Sequence, residues 1–195
     1  MIVSIQTDLV LLRPVRPEDQ SEFVRVNEIS REHFRPWMPT LPPGKSFDDV
    51  FEEGLVRAEK AEREGTEVRL VAVLPDGRIA GFFALTQIFR GAFENAYAGW
   101  RVSSDQLGRG IATSGVIALL DLAFSPEPEG LGLHRVQVNI IPSNRASVRV
   151  AEKAGFRLEG EAKDYLKIDG RWQDHLMFAK TAEEHEGRLV SSSDS

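Results

Sequence analysis

Cysteine is absent from this 195-residue chain. That one absence removes structural disulfides, thiolate-ligated zinc and a cysteine nucleophile together. Long apolar runs are missing too: no stretch approaches the ~20 residues of a membrane span. The opening MIVSIQTDLV has no basic region followed by an apolar run, so no secretory signal is read there. An excess of positive charge is also lacking. Lys and Arg number 24 against 30 Asp and Glu, a formal net charge of −6. This argues against the broad basic surface of a non-specific nucleic-acid binder, while leaving room for a local basic pocket or an amine-bearing partner. No internal repeat is present.

What remains is the composition of an ordinary globular protein, 42% hydrophobic and 28% charged. The length favours one domain with enough core to need no metal or disulfide. We expect a single domain over 1–184, a flexible tail over 185–195 ending in SSSDS, and a cytoplasmic location.

Periodicity divides the chain. LVLLR at 9–13 reads as a strand, and Pro17-Glu18-Asp19 opens a helix, with proline in the first turn and acids at its positive end. FRPWMPTLPPG at 34–44 holds four prolines and cannot be regular helix. Ser46 reopens a charged helix running to Gly65. Strands follow over 68–74 and 78–88 around Pro75-Asp76-Gly77, and again over 97–102. Residues 111–124 are apolar at helical spacing, HRVQVNII at 134–141 is a strand, and 143–154 is a helix stopped by Gly155. Two more strands, 156–165 and 172–179, flank Asp169-Gly170. Interleaved strands and helices with hairpins on both sides give a mixed α/β sheet.

Between the strand ending at Val102 and the helix from Ile111 lies LGRGIAT, Leu107 to Thr113. The first turn of a helix carries unpaired N–H groups and the positive end of the dipole, and glycines let a phosphate approach them. Arg109 can add charge and Thr113 a hydroxyl. The nucleoside-triphosphate loop is excluded, because Ile111-Ala112 stands where a Lys-Ser/Thr pair is required; the dinucleotide fingerprint is excluded because Thr113 holds the place of its third glycine. Alone, the loop reads as a pyrophosphate cradle or as a plain tight turn.

A second motif, PSNRASVRVAEKAGFRLEG, follows about thirty residues later. The pair resembles the GNAT acyltransferase superfamily, in its RimJ/RimL branch of ribosomal-protein N-terminal acetyltransferases. The resemblance runs from LVLLRPVRPED to DGRWQDHLMFA, nearly the whole chain. It implies a GNAT fold: a mixed, mostly antiparallel sheet splayed at the cofactor cleft and flanked by helices. It also implies acetyl-CoA as co-substrate and no metal.

Carried over residue by residue, the resemblance sets the Q/R-x-x-G-x-G/A pyrophosphate loop on Leu107, Gly108, Arg109, Gly110, Ile111 and Ala112, followed by Thr113. Leu107 departs from the usual Gln or Arg, with Gln106 beside it. Trp100, Arg101 and Val102 match the strand that receives the pantetheine arm and polarises the thioester carbonyl. Asn139, on the next strand across the cleft, is read as a further cofactor-binding residue, as is Ser147. Asn144 matches the cofactor-binding asparagine and reads equally as a helix cap. Ser147 matches the serine proposed as acid near the sulfur, and is otherwise a small helix residue. A tyrosine acid used in other branches is replaced by Ala151. The base is open: some relatives carry a carboxylate where Leu166 stands, which leaves Asp164, Glu94 or a water chain, and each carboxylate is also readable as surface charge. Arg149 and Lys153 read as solvated charges, and His134 as flanking its strand. Trp37 and Met38, with Glu94, are candidates to line the acceptor mouth.

The resulting expectation is an N-acetyltransferase acting on a protein N-terminus. The alternatives are a small-molecule amine acceptor and a catalytically silent acyl-CoA-binding module. Acetyl-CoA and the amine are the partners, with no nucleic acid and no membrane; a homodimer is left open.

Overall fold

The computed structural model describes residues 4–39 and 41–185. Eight strands form one sheet in the order β1-β2-β3-β4-β5-β6-β8-β7. In chain order these are β1 (Ile5–Gln6), β2 (Leu11–Pro14), β3 (Val68–Val73), β4 (Ile79–Phe89), β5 (Asn95–Val102), β6 (Arg135–Ile140), β7 (Arg157–Ile168) and β8 (Arg171–Thr181). All neighbours run antiparallel except β5 and β6, which are parallel. A parallel neighbour needs a crossover, and helix α4 (Ile111–Phe124) lies in that connection.

Helices α1 (Gln20–Ile29), α2 (Arg31–Phe34) and α3 (Phe47–Glu64) precede the sheet's centre, and α5 (Arg145–Ala154) follows β6. Ser46 caps α3 as the sequence suggested, accepting from Asp49 N–H at 3.1 Å while its own N–H reaches Asp49 Oδ2 at 2.7 Å. Among its described residues, the proline-rich stretch after α2 carries turns and no regular helix.

The two faces of the sheet are covered differently. On one, α4 and α5 pack over β4, β5 and β6. Ile111, Val116, Leu119 and Leu120 of α4 join Phe83, Ala98, Val102, Val136, Val138 and Phe178 in the main core. Contact is close because position 115 is glycine: a Cβ there would stand 2.3 Å from Phe83 Cζ. On the opposite face α1 and α3 pack over β3 and β4, with Val26, Phe34, Val71 and Ile79 as a second, smaller cluster. Glu22 pins α1 to the sheet, accepting from the Ile79 N–H at 2.8 Å while Arg25 donates to the Ile79 carbonyl at 3.0 Å.

The first residue of the expected tail is packed against the fold. His185 is 5% exposed, with Nε2 2.6 Å from Asp121 Oδ1 on α4, so it belongs to the folded body; the expectation for 186–195 lies outside the described residues. Among the described residues no helix is long and apolar enough to cross a membrane, and no cluster of three His, Asp or Glu side chains is placed to hold a metal ion.

Candidate active site

The parallel strands are paired only briefly. Asn95, Ala96 and Tyr97 of β5 register with Arg135, Val136 and Gln137 of β6, and pairing then stops. β5 runs on to Val102 against β4 alone, and β6 to Ile140 against β8 alone. The sheet therefore forks beyond Tyr97 and Gln137. Backbone groups of β5 on the fork side lack a ladder partner. Such groups are the natural donors and acceptors for an extended arm laid between the strands.

At the open end of the fork is the glycine loop. Gly110 stands at φ +80°, a left-handed conformation that glycine adopts without penalty, and it supplies no side-chain cap to α4. The first intrahelical bond is Ser114 N–H to the Gly110 carbonyl at 3.0 Å. The N–H groups of Ile111, Ala112 and Thr113 thus have no intrahelical partner. Beside this helix start a cleft of about 610 Å³ runs between the β1 segment and one side of α4, lined among others by Thr7, Asp8, Gly110, Thr113, Ser114, Asp121 and Lys153. The free N–H groups of the helix start, with the Thr113 and Ser114 hydroxyls beside them, fit a pyrophosphate. Lys153, read from sequence as a solvated charge, is exposed and borders this cleft.

Other expected cofactor residues are placed as follows. Trp100 and Val102 face the α4 side, Trp100 at the edge of the main core. Arg109 is exposed, as is Leu107, at 48%. Gln106 is only 3% exposed, turned inward, and does not stand in for the missing Gln or Arg at 107. Asn144 Oδ1 accepts from the Ser147 N–H at 3.2 Å, so the capping reading of Asn144 holds. Ser147 is half-buried on α5, whose Lys153 borders the cleft.

The opposite face of the fork is a trough. Strand alternation and register put Thr86, Tyr97, Gly99, Arg101, Gln137, Asn139 and Met177 on this face. Helical cover ends at β4. Gly99 is exposed, and a Cβ built on it would meet nothing within 4 Å. One wall is α1, α2 and the segment behind them. Met38 packs on the second cluster, and both Trp37 and Met38 donate their N–H groups to the Phe34 carbonyl at 2.9 and 3.1 Å. The other wall is the β7–β8 hairpin. There Tyr165 Oη accepts from Asn139 Nδ2 at 2.8 Å, and its ring lies 5.2 Å from that of His175. Burial raises the Tyr165 pKa, so the phenol is neutral and retains its proton.

The candidate carboxylates are not drawn together. Asp164 sits in a bulge of β7 at φ +48°, exposed, and it is its backbone N–H that is held, by Asp174 Oδ1 at 2.9 Å. Glu94 lies at the closed end of the fork, where its carbonyl takes the N–H groups of His134 and Arg135 at 3.0 and 3.1 Å. Sequence reasoning missed Tyr165 as a trough residue, and missed that the Arg101 side chain lies on the trough face, opposite Trp100 and Val102.

The comparisons with known proteins agree with this geometry. The acetyltransferase (GNAT) domain family matches residues 10–157. "Probable N-acetyltransferase YjcK" of Bacillus subtilis is 41% identical over 104 residues, 53% of this chain and 55% of that protein. The "[Ribosomal protein uS5]-alanine N-acetyltransferase" of Escherichia coli is 26% identical over 180 residues, 92% of this chain and 91% of its own. Among solved structures, RimJ of Mycobacterium smegmatis in complex with CoA-disulfide superposes with a TM-score of 0.83 at 33% identity, over 94% of this chain and 89% of that one. The forked sheet and its uncapped helix start are therefore those of a GNAT acetyltransferase, and the chain belongs to that family as an acetyl-CoA-dependent N-acetyltransferase.

Proposed function

We propose that the acceptor is the α-amine of a protein N-terminus. The observation that carries this reading is the trough: it is open along the sheet from Gly99 towards Tyr165 and walled on both sides, a shape suited to an extended chain end. The kinship with the uS5-alanine enzyme of E. coli and with RimJ of M. smegmatis supports it. A small-molecule amine is the second reading, because the fold itself does not fix the acceptor.

In this reading, the free N–H groups at the start of α4 hold the pyrophosphate, and unpaired β5 N–H groups donate to the acetyl carbonyl oxygen as charge builds on it. The acceptor amine enters from the trough, loses its proton to water or to a carboxylate such as Asp164, and attacks the acetyl carbon. The bond to sulfur breaks, and the Ser147 hydroxyl is the donor for the departing thiolate. Holding the two reactants on opposite faces of one fork supplies much of the rate by proximity. The cytoplasm is the fitting compartment, and neither a membrane nor a nucleic acid is needed.

The test is an acceptor panel: N-terminal peptides, polyamines, aminoglycosides and amino acids, each with acetyl-CoA, scored by free thiol released and by mass. Acetylation of peptide α-amines at the highest kcat/KM is expected. Turnover of small amines alone would replace this reading with the second, and amine-independent binding of acetyl-CoA with no turnover of any acceptor would make the protein a binding module.

A further inference from the structure

We propose that Arg101 is an anion-recognition residue of the acceptor trough, selecting amines that carry a carboxylate within about one or two residues of the reacting nitrogen. The proposal rests on the acceptor reading above and sharpens it.

The guanidinium of Arg101 is caged by rings. Its carbon lies 4.5 Å from the Phe82 centroid, 5.5 Å from Phe23 and 5.6 Å from Phe34. Cation–π contact engages the flat faces of the group and leaves its in-plane N–H groups available. Arginine has five such donors, and the polar contact that Arg101 makes is Nη1 to Met38 Sδ at 3.6 Å, a weak acceptor. Among the described residues no carboxylate lies within ion-pair distance of it. The other half-buried arginines are built differently: Arg13 pairs with Asp19 at 2.7 Å, Arg25 with Glu22 at 2.7 Å, and Arg135 with Glu159.

A half-buried guanidinium without an acceptor is costly, and rings offset only part of that cost. Burial lowers its pKa to about 10, with the Arg69 charge as the lesser cause, so it remains a cation at neutral pH. A nearby cation, rather than an anion, is what a site kept for an incoming anion would have.

The location fits. Arg101 and Gly99 share the trough face of β5, two residues or roughly 7 Å apart. The amine must reach the fork, which opens just beyond Tyr97. An acceptor extended from the fork past Gly99 towards α1 would bring its second or third side chain to Arg101. A carboxylate there can take two parallel N–H bonds, a geometry that arginine supplies and lysine does not. A polyamine in the same place would set cation against cation.

The experiment compares kcat/KM, at saturating acetyl-CoA, for peptides differing only in residue two or three: Glu, Gln or Lys. The expected order is Glu over Gln over Lys, with Glu ahead of Gln by at least about tenfold. In Arg101→Met, which keeps an apolar fill in the ring cage, the Glu-to-Gln ratio should collapse to about one; Arg101→Lys should restore it only in part. Should Arg101→Met fail to fold, product inhibition of the unaltered enzyme reads the same contact: the acetylated Glu peptide should inhibit more strongly than its Gln twin. Equal kcat/KM for Glu and Gln peptides that are both good substrates overturns the Arg101 assignment and leaves the N-terminal reading standing. If no peptide is acetylated while a small amine is, the N-terminal reading falls instead. Arg101 is then judged on an amino acid against its amide: preference for the free carboxylate supports the assignment, and indifference overturns it.

Discussion

Asn139 of β6 and Tyr165 of β7 meet across the intervening strand β8, with the Asn139 amide donating to the Tyr165 hydroxyl at 2.8 Å. Gln137 in turn donates to Asn139 Oδ1 at 2.9 Å, so the amide is fixed from both ends. The hydroxyl accepts this bond, and its own proton is left for another acceptor, which in the proposed reading is the arriving amine. Tyr165→Phe should lower kcat/KM for the amine by about tenfold and leave acetyl-CoA affinity near the parent value. Steady-state kinetics with a parallel calorimetric titration of acetyl-CoA checks this; a loss confined to acetyl-CoA affinity would put Tyr165 on the wrong side of the fork.

Gly110 combines a left-handed backbone with a free helix start. Gly110→Asp should reduce acetyl-CoA affinity by about tenfold or more, which is about 1.4 kcal/mol. Since any side chain at this φ is strained, Gly110→Ala separates strain from charge. The alanine variant should lose stability similarly but lose less affinity. Equal affinities for the two, by calorimetry, would mean that no phosphate is held there.

Much of this arrangement could be read from residues alone, and the reasons differ by element. The bounds of α4 were legible because apolar residues recur at helical spacing between Gly110 and Phe124, and α3 because Ser46 and Gly65 are strong caps. β1 was not, since two residues carry no period. The direction of Arg101 follows from the β4–β5 register, Phe82 against Arg101, which no local pattern encodes. Tyr165 follows a register shift in β7 between Ala162 and Leu166, where alternation fails. Motif matching points to a cofactor side because such a side is held by backbone at a fixed spacing. The trough is assembled from side chains on four distant segments, and its composition is a tertiary fact.

Ser147 is half-buried, with its N–H tied to the Asn144 cap. Ser147→Ala keeps that backbone bond. It should lower kcat by up to about tenfold, less than a usual general-acid effect of ~10²-fold, because a thiolate is already a fair leaving group. The amine KM should barely move. Rate constants equal to the parent's would leave Ser147 as an ordinary helix residue.

Gly115 is where α4 meets the sheet. A methyl at this position must displace the Phe83 ring, itself 1% exposed in the core. Gly115→Ala should destabilise the fold by about 1–3 kcal/mol in spite of alanine's better helix propensity. Pairing it with Phe83→Leu should return part of the loss relative to Phe83→Leu alone, since the two changes share one space. Denaturant midpoints of the four proteins decide this; strict additivity would mean that the contact is not the cause.

Glu159 joins β6 to β7. Arg135 is the main cause of its low pKa, with Arg157 second, and together they hold the carboxyl at about 2 against an ordinary value of 4.5. Its bonds are to Arg135 Nη1 at 2.9 Å and to Arg157 Nη2 at 2.8 Å. A carboxylate whose pKa is depressed by folding adds stability that is complete above its unfolded value. That contribution is lost as pH falls from about 4.5 towards about 2. The group is partly solvated, so screening holds the gain to about 1 kcal/mol. Glu159→Gln should therefore cost about that much at pH 7, with the gap to the parent closing as pH falls through this window. Urea unfolding at pH 7 and pH 3 measures it, and a gap that widens at pH 3 would show that Glu159 stabilises the sheet by packing rather than by charge.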